Sequence, residues 1–170
     1  MGQAVTWSSG SGERTGLPDQ SVKAAFFGSS FNVVDSNKAL AEVVRIVVPG
    51  GGFACMWNHR DVDDPLQASI EKTITSLISN YDYGTRRSDP TPTLQEGGIF
   101  GKIRRLEERF DVSFPRAEFI EGWRSHATLA RQAGQKFEEV IEAIGAVVPT
   151  ADTVNVPYTT NIWWSVLADA

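Results

Sequence analysis

The sequence of 170 residues has little of what metal-binding, disulfide-stabilised, nucleic-acid-binding or membrane-spanning proteins need. Its one cysteine, Cys55, allows no internal disulfide, and no Cys/His cluster has the spacing of a metal site, so no metal is expected. The formal net charge is −5 without a block of Lys and Arg, which argues against nucleic acid as a partner. No run of about 18 apolar residues and no basic-then-apolar leader occur, so no membrane contact is expected and the cytoplasm is the expected location.

What is present is ordinary globular composition, with 41% hydrophobic and 22% charged residues, and it predicts one domain over residues 1–170. Apolar runs and alternation predict strands at residues 22–27, 53–57, 110–114 and 154–164. Helical spacing predicts helices at residues 37–48, 63–78 and 129–148, with Pro49 and the following glycines ending the first. Residues 1–20 form an N-terminal segment and residues 79–101 the longest loop. The predicted strands and helices alternate along the chain, which indicates an α/β fold with a mixed sheet. Cys55 lies in one of the predicted strands and is expected to be a core residue.

Several motifs, in this order along the chain, resemble the second half of class I S-adenosylmethionine-dependent methyltransferases. Residues 48–53, V-P-G-G-G-F, resemble the family's V-L-K/R-P-G-G signature. Residues 12–19, 21–25 and 37–47 resemble its G-x-A-E-x-L-P-x-D turn, S-V-D-A-V strand and A-L-x-E-x-x-R-V-L helix. Two further segments resemble a type 11-like subgroup of the family that acts on small molecules. They are residues 57–61, W-N-H-R-D, and residues 157–160 with the Trp pair that follows. The resemblance implies a partial class I methyltransferase (Rossmann-like) fold, a mixed sheet of the family's strands 4–7 with flanking helices.

The departures from the family concern the cofactor. The chain has no counterpart of the glycine-rich turn that follows the family's first strand. It also lacks the acidic residue on the family's second strand that binds the ribose. Only 47 residues precede the V-P-G-G-G-F segment. Thr15 stands where the family usually has Glu, and residues 29–35 lack the family's aromatic-rich, often His-bearing pattern. The early glycines in residues 8–12 lack the strand-then-helix context of a phosphate loop. We therefore expect no cofactor bound by this chain alone, and S-adenosylmethionine only if a partner supplies the site.

A sheet that begins at residues 22–27 would leave an apolar strand at its edge. Such an edge is a template for pairing or aggregation. We expect a second polypeptide to supply the N-terminal half of the fold, which would make the assembly a heterodimer. A homodimer that pairs the same edges is the second alternative.

Ligands of open α/β sheets lie beyond the carboxyl ends of the strands, and two such ends carry polar residues here. The candidates are Ser29, Ser30, Asp35 and His59 as catalytic residues and Asn32, Asn58, Arg60 and Asp61 as substrate-binding residues. Serine hydroxyls would stabilise a leaving oxyanion, and a histidine would serve as acid or base near neutral pH.

Each of these candidates also has a plain structural interpretation. Helix N-capping is favoured for Asp35, and an ion pair that pins the loop is favoured for Arg60 and Asp61. For Ser29 and Ser30, an interpretation as ordinary loop serines is as well supported as a functional one. For His59 the structural interpretation is a solvated loop residue. His126 is interpreted as structural or as the wall of a pocket. Trp163 and Trp164 point to opposite faces of a strand, so one should lie in the core.

The resemblance implies a subunit of a heterodimeric methyltransferase-like enzyme that acts on a small molecule in secondary-metabolite biosynthesis. Its chemistry would be methyl transfer, or elimination or ring closure such as aziridine formation, which needs orientation and anion stabilisation more than a protein nucleophile. The alternative is a non-catalytic activator or stabilising partner of a complete methyltransferase. A remnant without activity is the third hypothesis.

Overall fold

The computed structural model describes residues 5–168, apart from the side chains of residues 85 and 86. Its strands are β1 (Val22–Gly28), β2 (Val47–Arg60), β3 (Arg104–Pro115) and β4 (Thr153–Val166). Its α-helices are α1 (Ser36–Ile46), α2 (Pro65–Leu77), α3 (Thr91–Gln95), α4 (Arg116–Arg124), α5 (Ala127–Ala133) and α6 (Phe137–Val147). None of these helices combines the length and apolar character that crossing a bilayer requires.

The strands form one mixed sheet in the order β1-β2-β4-β3. β1 and β2 are parallel, with Phe26 opposite Ala54. β4 runs antiparallel to β2, since the amide of Asp61 donates to Pro157 at one end and that of Leu167 to Gly51 at the other. The α/β class with a mixed sheet is therefore confirmed. β1 is an edge strand whose partner, among residues 5–168, is β2.

β2 is much longer than the predicted strand at residues 53–57, because it includes the proline–glycine segment at residues 49–52. α1 ends at Ile46, and β2 pairs with β1 at once, so the glycines do not form the helix stop that the sequence predicted. β2 advances five residues from Val47 to Gly52 while β1 advances two from Val22 to Ala24. This bulge accommodates Pro49, which has no N–H for a regular ladder.

Two other helix predictions also need correction. The predicted helix at 129–148 is divided into α5 and α6 at Gly134, whose φ of +52° is incompatible with a continuous helix. α4 was not predicted, because its short, highly charged sequence shows weak periodicity. The expected long loop at 79–101 contains α3 and 3₁₀ turns at Gly84–Arg87 and Glu96–Gly98.

The described chain divides into two compact units, of which unit 1 comprises residues 5–57, 88–106 and 161–168. Its core contains an aromatic cluster of Phe27, Phe31, Phe53 and Phe100, with ring centroids 5.0–5.9 Å apart. Cys55 is fully buried here, and burial raises the pKa of its thiol to about 12. The prediction that Cys55 is a core residue is confirmed.

Unit 2 comprises residues 58–87 and 107–160. Its core is formed by the apolar faces of α2, α4, α5 and α6, together with the start of β4. The largest of its fully buried side chains are Ile70, Ile74, Trp123, Leu129, Ile141 and Ile144. α2 starts as predicted, since Asp64 caps it by accepting the amide of Gln67 and Pro65 occupies its first turn.

A hydrogen-bonded ion pair ties the N-terminal segment of unit 1 to α1. Glu42 accepts the amide and hydroxyl of Thr15 at 2.8 and 2.6 Å and two guanidinium N–H groups of Arg45 at 2.7 and 2.9 Å. Arg45 also donates to Asp19 at 2.6 Å. The hydrogen bonds from Arg45, followed by those from Thr15, lower the pKa of Glu42 to about 2. The segment is thus fixed against α1 without pairing along β1.

We expect Glu42→Gln to lower the free energy of unfolding by about 1–2 kcal/mol at neutral pH, because charge-assisted hydrogen bonds are lost. The folded pKa of about 2 lies below the ordinary value of 4.5, so this stabilisation is complete above pH 4.5 and is lost as the pH falls toward 2. Urea unfolding of wild type and variant at several pH values measures it. Glu108→Gln, on the exposed surface of β3, is the matched control and should change little. A wild-type-to-variant difference that is constant from pH 7 to pH 2 would contradict the prediction.

Candidate functional site

The candidate site is a cleft within unit 2 at the carboxyl end of β2. It has a volume of about 130 Å³ and is lined by Asn58, His59, Arg60, Tyr83, Arg87, His126 and Tyr158. Three of these were predicted as site residues. They lie inside β2, however, and not in a loop after it, because β2 continues to Arg60. None of the lining residues is acidic, so the cleft presents cationic and neutral polar groups.

Arg60 is held by aromatic rings and not by the ion pair that was predicted. Its guanidinium carbon lies 4.1 Å from the ring centroid of Trp123 and 5.8 Å from that of Phe119. Asp61 instead accepts the amide of Asp63 at 3.1 Å, which shapes the turn before α2. The prediction of an Arg60–Asp61 pair is therefore wrong, because α4 offers Arg60 a buried aromatic surface that the sequence did not reveal.

A second arginine lies across the cleft. The guanidinium carbon of Arg87 lies 4.6 Å from the ring centroid of Tyr83, and its Nη2 donates to the carbonyl of Arg60 at 3.4 Å. Tyr83 is fixed in turn, since its hydroxyl donates to Oε2 of Glu71 at 2.8 Å. Burial raises the pKa of the Tyr83 hydroxyl, which therefore stays protonated and remains a donor.

His126 contacts both aromatic residues on which the arginines of the cleft stack. Its Nδ1 accepts the amide of Leu129 at 3.2 Å and so caps α5. The neutral imidazole therefore carries its proton on Nε2. The imidazole lies 5.6 Å from the ring of Trp123 and 6.3 Å from that of Tyr83, centroid to centroid. Both interpretations of His126, structural and pocket wall, agree with this position.

The remaining lining residues have fixed partners as well. The hydroxyl of Thr160 donates to Oδ1 of Asn58 at 2.7 Å, which orients the amide so that its NH₂ is the remaining donor. Tyr158 stacks on Phe110 with centroids 5.6 Å apart. His59 is half-buried within β2, so it is not the solvated loop residue of the alternative interpretation.

The candidates that follow β1 belong to unit 1, and none lines the cleft. Asp35 caps α1 by accepting the amide of Lys38 at 3.1 Å, as the favoured alternative predicted. Asn32 accepts the indole N–H of Trp57 at 2.9 Å. Ser29 has a φ of +51° and its amide donates to Met56 at 2.8 Å, which makes it a turn residue at the end of β1. A catalytic role for Ser29 and Ser30 stays a prediction.

Unit 1 has a second depression beside β1, an apolar groove of about 250 Å³. Its apolar lining is formed by Ala25, Phe26, Phe27, Val34, Val43 and Ile46, and Gly12, Thr15, Ser30 and Glu42 line it as well. Phe26 is 69% exposed, which is unusual for a phenylalanine in a strand. The groove, with Phe26 in its lining, thus presents apolar side chains beside the edge strand β1.

Two carboxylates, Asp35 and Asp61, lie at the ends of the described strands, and both have partners within the chain. A ribose-binding site needs a carboxylate at the end of a strand, but Asp35 is engaged by Lys38 and Asp61 by Asp63. The glycine that makes the closest backbone approach, Gly51, faces the chain's own β1. The expectation that this chain alone binds no cofactor stays a prediction. Between residues 5 and 168 no three His, Cys, Asp or Glu side chains group as metal ligands would, and the absence of a metal stays a prediction.

Sequence reasoning did not identify Tyr83, Arg87 or Tyr158 as site residues. Tyr83 and Arg87 fall in the segment interpreted as a loop, and Tyr158 belongs to a strand whose alternation pointed only to packing. An aromatic residue followed four positions later by arginine was the available signal, since this spacing supports stacking in a turn. Of the Trp pair, Trp163 is buried, as expected for one of them.

Solved structures of putative methyltransferases resemble this fold. A putative type II methyltransferase from Anaeromyxobacter dehalogenans aligns with a TM-score of 0.66 and 18% identity over 97% of this chain and 73% of its own. A putative methyltransferase from Bacillus halodurans aligns with a TM-score of 0.51 and 15% identity over 95% of this chain and 77% of its own. At these identities the likeness establishes the fold.

Sequence relatives cover a shorter part. No family model matches the chain. A ubiquinone/menaquinone biosynthesis C-methyltransferase of Caulobacter vibrioides is 40% identical over 68 residues, which are 39% of this chain and 27% of the relative. An uncharacterized methyltransferase of Mycobacterium tuberculosis is 38% identical over 52 residues, which are 31% of this chain and 21% of the relative. The chain thus matches about a quarter of the length of these relatives. It has the fold of class I methyltransferases, and a C-methyltransferase of ubiquinone/menaquinone biosynthesis is among its relatives.

Proposed function

We propose that the chain is the substrate-binding subunit of a heterodimeric methyltransferase-like enzyme that acts on a small molecule. A second polypeptide supplies the N-terminal half of the fold and pairs with β1. The cleft at the carboxyl end of β2 takes the substrate. The methyltransferase-like fold and the short sequence matches support the enzyme class, and the open sheet edge supports the second subunit.

The contrast between the two edges of the sheet carries the proposal. β3 has six charged residues among twelve, which protect an edge strand from pairing with another chain. β1 has one charged residue, Lys23, among seven. A strand of this composition is typical of the interior of a parallel sheet, where both neighbours and both faces are covered. The exposed ring of Phe26 and the apolar groove beside it support the same conclusion.

The cleft determines what this subunit contributes to the reaction. Asn58, His126 and the two arginines offer hydrogen-bond donors that orient a polar substrate and stabilise developing negative charge. His59 and His126 supply the two imidazole groups of the lining. If the partner brings a working S-adenosylmethionine site, the reaction is methyl transfer. If it does not, the same groups suit elimination or intramolecular ring closure, such as aziridine formation, in secondary metabolism.

Association through β1 tests the proposal. The chain is co-expressed with the polypeptide encoded beside it, and the complex is analysed by size-exclusion chromatography with light scattering. We expect a one-to-one complex with the wild-type chain. Phe26→Asp should abolish it, because a carboxylate would be buried without a partner. Leu106→Asp is the matched control, since Leu106 is 57% exposed on the other edge strand, and it should leave the complex intact.

Three outcomes would overturn parts of the proposal. A chain that is monomeric, melts cooperatively and forms no complex contradicts the heterodimer. A species of twice the chain mass that Phe26→Asp dissociates supports the homodimer instead. A complete methyltransferase as partner, activated equally by the wild-type chain and an Arg87→Gln chain, would identify the chain as a non-catalytic activator.

A further inference from the structure

We propose that the cleft of unit 2 binds an anionic group of the substrate, a carboxylate or a phosphate, between Arg60 and Arg87. The inference rests on the proposed function in taking this cleft as the substrate site. It adds the chemical class of the substrate, which neither the fold nor the relatives supply.

The two arginines of the cleft lack the carboxylate partners that Arg45 and Arg124 have. Arg45 is paired with Glu42 and Asp19, and Arg124 with Glu138. Across residues 5–168 no carboxylate lies within 4.0 Å of the guanidinium of Arg60 or Arg87. Two cations that face one small cleft without an internal anion repel each other, and a bound anion relieves that repulsion.

The positions of both guanidinium groups are set before any ligand arrives. Arg60 stacks on Trp123, which is 2% exposed, and Arg87 stacks on Tyr83, whose hydroxyl is bound to Glu71. The hydrogen bond from Arg87 to the Arg60 carbonyl links the two walls. Because stacked arginines lose little further freedom on binding, their fork of N–H donors is suited to planar or tetrahedral oxyanions.

Arg60 also has a buried donor, its Nε–H, without an acceptor among residues 5–168. A partly buried cation that is short of acceptors and of counter-charge is unfavourable in the free protein. An anion that binds the exposed side of the guanidinium supplies the missing charge, although the buried Nε–H itself stays covered.

Asn58 adds a neutral donor to the two arginines of the cleft. Its amide is oriented by Thr160, so that its NH₂ faces outward as a donor. The cleft of about 130 Å³ thus offers these donors, and no lining carboxylate, to an acidic group of the substrate.

Titration with small anions tests the inference. The imidazole resonances of His59 and His126 and the indole resonance of Trp123 are followed by NMR at constant ionic strength, in the full chain or its complex. Inorganic phosphate and acetate are the two probes, and chloride is the reference salt. We expect saturable shifts with phosphate, acetate or both, and the probe that binds more tightly identifies the acidic group.

Variants assign the binding to the two arginines. Arg87→Gln should weaken anion binding about 10-fold or more, and the double variant Arg60→Gln/Arg87→Gln should abolish it. Arg87→Lys should recover part of the affinity because it restores the charge without the fork. Arg109→Gln, an exposed arginine of β3 in the same unit, should leave binding unchanged.

Each result decides for or against the inference. It is overturned if neither anion gives saturable shifts in the wild-type chain, or if Arg87→Gln binds as tightly as wild type with an unchanged melting temperature. Arg87 is exposed, so this single variant decides if the double variant does not fold. Formation of the complex through Phe26 without anion binding would refute only this inference, and anion binding without a complex would refute only the heterodimer.

Discussion

Replacing Trp123 with alanine is expected to lower the free energy of unfolding by about 3–5 kcal/mol, the range for removal of a large buried aromatic side chain. Trp123 is 2% exposed in the core of unit 2, where it packs with the apolar side chains of α2, α5 and α6. Its ring also supports Arg60 and His126. The variant should therefore lose anion binding in the cleft as well as stability. Chemical unfolding and the phosphate titration measure the two effects.

Trp123→Phe is the matched control for this prediction. It keeps an aromatic ring under Arg60, and it removes the indole N–H, which is buried and has no acceptor in the described part of the chain. Removal of an unsatisfied donor offsets part of the lost packing, so we expect a loss below about 1.5 kcal/mol. If Trp123→Phe and Trp123→Ala were equally destabilising, the ring would not be the stabilising element.

Replacing Gly51 with alanine is expected to cost about 3 kcal/mol, the upper part of the range for overpacking. An added Cβ would lie 2.6 Å from the carbonyl oxygen of Lys23 and 2.8 Å from that of Val48, and closer still to a methyl group of Val47. Two of these neighbours are backbone atoms in or beside the bulge, which cannot move without breaking the pairing of β1 with β2. Urea unfolding of the variant measures the loss.

The neighbouring glycine provides the control within the same motif. A Cβ at Gly52 would lie 3.6 Å from Cβ of Ala24, which is an ordinary contact. Gly52→Ala should therefore change stability by less than about 1 kcal/mol, since alanine also restricts the unfolded chain. Equal losses at both positions would show that the glycines act through flexibility and not through close approach.

The local elements were predicted largely correctly because their signals are local. β1 follows from an apolar run, and the starts of α1 and α2 follow from the capping carboxylates Asp35 and Asp64. The fold class followed from the order of these elements and from the family resemblance. The split of the last predicted helix was missed at Gly134, because a single glycine with φ of +52° is decided by what packs on either side of it.

The candidate site was predicted only in part. Asn58, His59 and Arg60 were placed at the right end of the right strand, but they were assigned to a loop. The predicted pairing of Arg60 with its neighbour Asp61 failed because a buried indole 63 residues away competes for the guanidinium. Contacts over such separations leave no periodic trace in the sequence.

By itself, then, the sequence determined the α/β class, the apolar strand β1, the starts of α1 and α2 and the order of these elements along the chain. These depend on neighbours a few residues apart, through side-chain alternation, capping and backbone freedom. Only the tertiary structure decided that β2 extends through the proline–glycine segment and that Arg60, Trp123, His126, Tyr83 and Arg87 surround one cleft. The physical reason is that the direction of each side chain depends on the packing of helices and strands that are distant in the sequence.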